Sequence, residues 1–95
     1  MIAVRLSDYY RSFATRSRAR EILDGQPAQG PFLVDVSGVF ISPSFMAELL
    51  LGLVKRGPVQ VVADEQTWFN LDMVRTLKRQ LNIAIEVGAA PLATA

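Results

Sequence analysis

The feature that most constrains the fold is the segment at residues 32–53, which reads FLVDVSGVFISPSFMAELLLGL. It opens with a continuous apolar run that carries one acid, Asp35, and such a run is typical of a strand covered on both faces. A Ser-Gly turn follows. Ser42 and Pro43 then supply a hydroxyl cap and a proline at the first position of a helix. The segment therefore predicts a buried strand, a tight turn and a helix that begins at Pro43.

Apolar patterning extends this strand-turn-helix unit in both directions along the chain. We predict strands at residues 2–6, 32–36, 59–63 and 83–87, and helices at residues 15–24, 43–56 and 68–81. Strands that alternate with helices favour a mainly parallel sheet with right-handed crossovers, although the first strand could instead run antiparallel at an edge. The predicted fold is α/β, a four-stranded mainly parallel or mixed sheet with three helices in the order β-α-β-α-β-α-β. We assign residues 1–87 to a single domain and residues 88–95 to a flexible C-terminal tail.

The composition excludes several kinds of chemistry. Because the 95 residues include no cysteine and no histidine, disulfides, thiolate metal sites and Ser-His or Cys-His nucleophile pairs are excluded. The formal net charge is +1, and the basic residues of the first predicted helix have acids as neighbours, which argues against nucleic-acid binding. No apolar run is long enough to span a bilayer. We therefore expect a cytoplasmic, non-catalytic protein that needs no cofactor or metal and binds neither nucleic acid nor membranes.

The pattern LVDVSGVFISPSFMAELL resembles the STAS-like proteins of the uncharacterised DUF4325 family, which are relatives of bacterial anti-sigma factor antagonists. The shared elements are an acid at the strand end, a glycine-hydrophobic turn and a helix start with serine, phenylalanine and glutamate. In this chain they are Asp35, Gly38, Val39, Ile41, Ser42, Ser44, Phe45 and Glu48. Residues 13–23 also resemble the first helix of that family, so the resemblance covers residues 11–81.

The resemblance implies an STAS-like fold and a regulatory protein-interaction module of bacterial or phage signalling. The implied partner is an ATPase or kinase of the histidine-kinase fold. The residues implied in partner binding are Val39, Ser42, Ser44, Phe45 and Glu48. In anti-sigma factor antagonists a serine at this helix start is phosphorylated and the partner is released. Pro43 stands at that position here, so the flanking Ser42 and Ser44 are the candidate phosphorylation sites.

Several of these residues also have a purely structural interpretation. Ser42 is sufficiently explained as a helix cap, and Asp35 as an acceptor for the amides of the turn that follows it. We therefore assign Asp35, Gly38 and Pro43 to the turn and the helix start.

Two other functions stay open at this point. One is a homodimer or filament built on the second helix, whose apolar stripe is wider than packing on one sheet face requires. The other is a small ligand-binding domain that uses Asp35, Ser37 and Ser42 at the carboxyl end of the strand.

Overall fold

The computed structural model describes residues 1–89 and has the α/β architecture expected from the sequence. The helices are α1 (Arg16–Asp24), α2 (Pro43–Val54) and α3 (Trp68–Leu81). The strands are β1 (Ile2–Arg5), β2 (Ser12–Phe13), β3 (Phe32–Asp35), β4 (Phe40–Ile41), β5 (Val59–Ala63) and β6 (Glu86–Ala89). Within this part of the chain, no helix combines the length and the hydrophobicity that a membrane crossing requires.

The main sheet contains four strands in the order β1-β3-β5-β6, and every neighbouring pair is parallel. β1 lies at an edge, as one of the alternatives supposed, but it runs parallel to β3, so the antiparallel alternative is wrong. The physical reason is the helix α1 between the two strands, which returns the chain to the end at which β1 began.

All three helices of the described residues lie on one face of this sheet. Successive strands always step in the same direction, so right-handed crossovers bring every helix to the same side. The side chains agree with this, because Val4, Val34 and Val61 belong to the core whereas Leu33, which points the other way, does not. The helices within residues 1–89 thus cover one face of residues 32–36, and on the other face Leu33 and Asp35 are half-buried.

The helix α2 is the central element of the helix layer. It packs on β5 and contacts α1 on one side and α3 on the other. No residue from Phe45 to Val54 is exposed. α1 packs tightly against α2 at Gly52, where an added Cβ would lie 2.5 Å from a Leu23 methyl group. Most of the broad apolar stripe that suggested an assembly surface thus belongs to the core or packs against it, and Leu51 is half-buried.

The helix boundaries follow the capping residues. Thr15 Oγ1 accepts a hydrogen bond from the Arg18 amide at 3.4 Å, and Ser42 Oγ accepts one from the Phe45 amide at 3.2 Å. Asn82 ends α3 in the left-handed conformation, with φ of 53°. The range of α3 agrees with the sequence prediction, while α2 ends two residues before the predicted residue 56.

Two parts of the strand structure differ from the prediction. β2 and β4 are absent from the predicted strands, and they pair as a small two-stranded parallel sheet. The last strand, predicted at residues 83–87, is β6, because Gln60–Ala63 of β5 pair with Glu86–Ala89. Gly88 and Ala89, the first residues of the predicted tail, therefore belong to the sheet. Residues 90–95 of that tail lie outside the described residues.

The two phenylalanines that flank the start of α2 have opposite environments, and this makes a direct test of the fold. Phe45 is fully buried, whereas Phe40 is 70% exposed. We expect Phe45→Ala to lower the free energy of unfolding by about 3–5 kcal/mol, because it removes a buried ring and leaves a cavity. The matched variant Phe40→Ala should change it by no more than about 0.5 kcal/mol. Urea unfolding followed by circular dichroism measures both, and equal effects would contradict the burial described here.

Candidate functional site

The connections that lead from β1, β3 and β5 into the following helices meet at the carboxyl ends of these strands. β2 lies in the first connection and β4 in the second, and their pairing ties the two together. The Phe40 amide donates to the Arg11 carbonyl at 2.9 Å, and the Ser42 amide donates to the Phe13 carbonyl at 2.8 Å. The start of α2 is therefore held against the segment that precedes α1.

A buried asparagine ties the third connection to the second. Asn70, in the first turn of α3, is only 2% exposed. Its Nδ2 donates to the carbonyls of Val36 and Val39, at 3.0 and 2.9 Å. Between these two carbonyls the chain turns at Gly38, whose φ of +72° is a conformation that side chains disfavour. We call this arrangement the Asn70 clamp.

Further polar contacts surround the turn at Gly38. We call these contacts, the Asn70 clamp and the β2–β4 pair together the frame. The Ser37 amide donates to Asp35 Oδ1 at 3.0 Å, which is the turn-acceptor role predicted for Asp35. The Asp64 amide donates to Ser37 Oγ at 2.8 Å, and the Thr67 amide donates to Asp64 Oδ1 at 3.0 Å. These groups are thus engaged within the fold, and the geometry offers nothing that favours the ligand-binding alternative at Asp35, Ser37 and Ser42.

The two candidate phosphorylation sites are not equivalent. Ser42 is half-buried, and its Oγ caps α2 through the Phe45 amide. Ser44 is exposed, and its hydroxyl lies 3.2 Å from that of Ser42. Pro43 is exposed at the first position of the helix, as predicted. Glu48 accepts a hydrogen bond from the Arg20 guanidinium at 3.2 Å, so it bridges α2 to α1.

The structure corrects the assignment of Val39 and Phe45 as partner-contacting residues. Both belong to the core, with exposed fractions of 1% and 0%. The Phe45 ring stacks near Phe13, with the ring centroids 4.7 Å apart. The Phe45 amide also donates to the cap at Ser42, so this buried ring belongs to the first turn of α2. Neither side chain can reach a partner in this conformation.

Exposed aromatic side chains lie next to residues of the frame. They were not among the partner-binding residues predicted from the sequence. Phe40 is 70% exposed, Trp68 59% and Phe69 43%. Phe40 follows Val39, whose carbonyl is held by Asn70, and the other two rings directly precede Asn70 in the chain. We call Phe40, Trp68 and Phe69 the aromatic edge. Because β4 has only two residues, the sequence shows no period there that would separate inward from outward side chains.

A cavity of about 500 Å³ lies at the opposite end of the sheet. Phe32 and Val59, the first residues of β3 and β5, contribute to its lining together with Ile85 and Lys78. None of the predicted site residues borders it. Within residues 1–89, no group of three acidic side chains comes together as a metal site would require.

No family model matches this chain, and neither a curated protein nor a solved structure matches it. The STAS-like resemblance therefore stays a prediction, and the functional argument starts from the geometry of the frame and the aromatic edge.

The Asn70 clamp can be tested by a substitution that keeps the size of the side chain. Asn70→Leu removes both hydrogen bonds and leaves the Val36 and Val39 carbonyls without their donor. We expect the free energy of unfolding to fall by about 2–4 kcal/mol, since each unpaired buried polar group costs about 1–3 kcal/mol. The matched control is Gln80→Leu, which makes a comparable amide-to-leucine change at an exposed position of α3. A urea midpoint that shifts equally for both variants would contradict the clamp.

Proposed function

We propose that this chain is a non-catalytic, regulatory protein-interaction module of the STAS-like kind that acts in the cytoplasm. Its proposed partner is a separately encoded ATPase or kinase of the histidine-kinase fold, as the family resemblance implies. The observation that carries the proposal is the aromatic edge, three exposed rings held on a frame whose turns are fixed by hydrogen bonds.

The physical properties of this edge are those of a binding surface. Large aromatic side chains bury about 150–250 Å² each in a contact, and tryptophan is enriched among the residues that dominate binding energy. Because the Asn70 clamp and the β2–β4 pair hold the frame, little backbone freedom is lost on binding. No such argument applies to catalysis, for which the frame presents only groups that already bond to one another.

We therefore propose that the partner binds near the start of α2, as the sequence suggested, but through different apolar side chains. Phe40, and not Val39 or Phe45, would make the apolar contact with the partner. Ser44 lies at the helix start that follows Phe40 and contributes an exposed polar group beside it.

Binding should depend on the aromatic edge and not on exposed rings in general. We expect Phe40→Ser and Trp68→Ser each to weaken binding at least about tenfold, because hot-spot side chains contribute about 2 kcal/mol or more. Tyr9→Ser is the matched control, since Tyr9 is 44% exposed but its hydroxyl lies against Gln26, beyond α1.

The measurement has two stages. Affinity capture with the tagged chain, followed by mass spectrometry, identifies the partner, and calorimetry with the purified partner then compares the variants. Capture of an ATPase of the histidine-kinase fold whose affinity falls in both edge variants supports the proposal. A partner of another class, or affinities unchanged by both variants, would contradict it.

Phosphorylation by the partner kinase is expected on Ser44 and not on Ser42. The Ser44 hydroxyl is exposed, whereas Ser42 Oγ serves as the helix cap. A phosphate in the first turn of α2 is stabilised by the helix N-terminus and repels or displaces a tightly packed partner.

Intact-mass analysis after incubation with the active kinase and ATP tests this prediction. One added phosphate that disappears in Ser44→Ala and persists in Ser42→Ala is the expected result. If the kinase modifies a control substrate but leaves this chain unmodified, the prediction of Ser44 phosphorylation is wrong.

A further inference from the structure

The face of the main sheet that points away from the helices has an ordered arrangement of side chains. The register aligns Ala3, Leu33, Gln60 and Glu86 in one row, and Arg5, Asp35, Val62 and Gly88 in the next. We call these two rows the open face. Leu33 is half-buried and Val62 is buried, yet neither belongs to the core that the helices cover.

We expect the open face of this parallel sheet to be covered by a second layer. Purely parallel sheets occur almost only with both faces covered, whereas here the three helices of residues 1–89 cover one. The apolar side chains of the open face lie on the central strands β3 and β5: Leu33 is half-buried, and Val62 is already buried. Charged side chains lie on three of the strands: Arg5 on the edge strand β1, Glu86 on the edge strand β6, and Asp35, whose side chain is 28% exposed, on β3 beside Arg5.

The two charges at opposite edges make this face complementary to itself. A twofold axis that runs parallel to the strands places β1 of one copy over β6 of the other. Arg5 and Glu86 are two residues apart along the strand direction, which is about 7 Å and within reach of these long side chains. Stacked sheets pack about 10 Å apart, a spacing that lets Leu33 of each copy fill the centre.

Arg5 is available for such a contact. Its side chain is 61% exposed, and its Nε lies 3.9 Å from Asp35 Oδ2, a loose pair that forms no hydrogen bond. Within the described residues, Glu86 takes part in no ion pair with a lysine or arginine. A second copy would supply each of these side chains with a partner of opposite charge.

We infer that the chain forms a homodimer by stacking the open faces of two copies, with Arg5 of each copy paired to Glu86 of the other. This dimer differs from the one expected on the second helix, which packs between α1 and α3 in the helix layer. Strands of four or five residues make a small face, so the dimer is weak and depends on protein concentration. The inference does not depend on the proposed function, since the aromatic edge lies at the strand ends and stays free.

Charge reversal distinguishes this dimer from any other association. Sedimentation velocity of the full chain, from micromolar to millimolar concentration, should show a monomer–dimer equilibrium. Arg5→Glu should weaken the dimer at least tenfold because it places two acids opposite each other, and Glu86→Arg should do the same with two cations. The double variant Arg5→Glu/Glu86→Arg should restore dimerisation to within a few fold of the original.

The control is Arg79→Glu, a reversal of an exposed charge on α3 that should leave the dimer unchanged. Circular dichroism of every variant verifies that the fold is intact. A monomer at every concentration would overturn the inference and show that something other than a second copy covers the face. Dimerisation that survives both single reversals, or that the double variant does not restore, would overturn it as well.

Discussion

The direction in which the strands follow one another determines the rest of this structure. Because β1, β3, β5 and β6 are neighbours in chain order, each right-handed crossover must place its helix on the same side. This arrangement puts α2 in the middle of one helix layer, where it needs apolar residues around most of its circumference. It also leaves the opposite side of the sheet without helices from residues 1–89. The apolar character of α2 and the pattern of the open face are thus two results of one topology.

The same topology brings the starts of all three helices to one end of the molecule. Two sets of hydrogen bonds hold the helix starts together. The β2–β4 pair joins the first two connections, and Asn70 joins the second to the third. Each uses backbone carbonyls or amides, so it fixes the path of the chain without constraining the outward side chains. That division between a fixed backbone and free surface positions is what makes the aromatic edge suitable for recognition.

Most of the fold could be predicted from local signals. Capping residues mark the start of α2 and the end of α3, and alternating elements predict the parallel sheet. Which of Phe40 and Phe45 lies inside could not be predicted, because it depends on the rotation of α2 and on the path from Gly38 to Ser42. β2 and β4 are too short to show a period. β6 was misplaced because Ile83 and Ile85 continue the inward alternation of the strand without joining its hydrogen-bonded ladder.

The edge strands of the sheet also have a consequence for the behaviour of the protein at high concentration. β1 and β6 are the edge strands of the sheet that residues 1–89 form, and the backbone amides and carbonyls of an edge strand can be joined by a strand from another molecule, which is the usual start of aggregation. Both strands are only four residues long, one ends in Arg5, and the other begins with Glu86 and contains Gly88. Short length, charge and glycine all disfavour strand addition. Arg5 and Glu86, which the proposed dimer would pair, therefore also disfavour growth of the sheet into fibres.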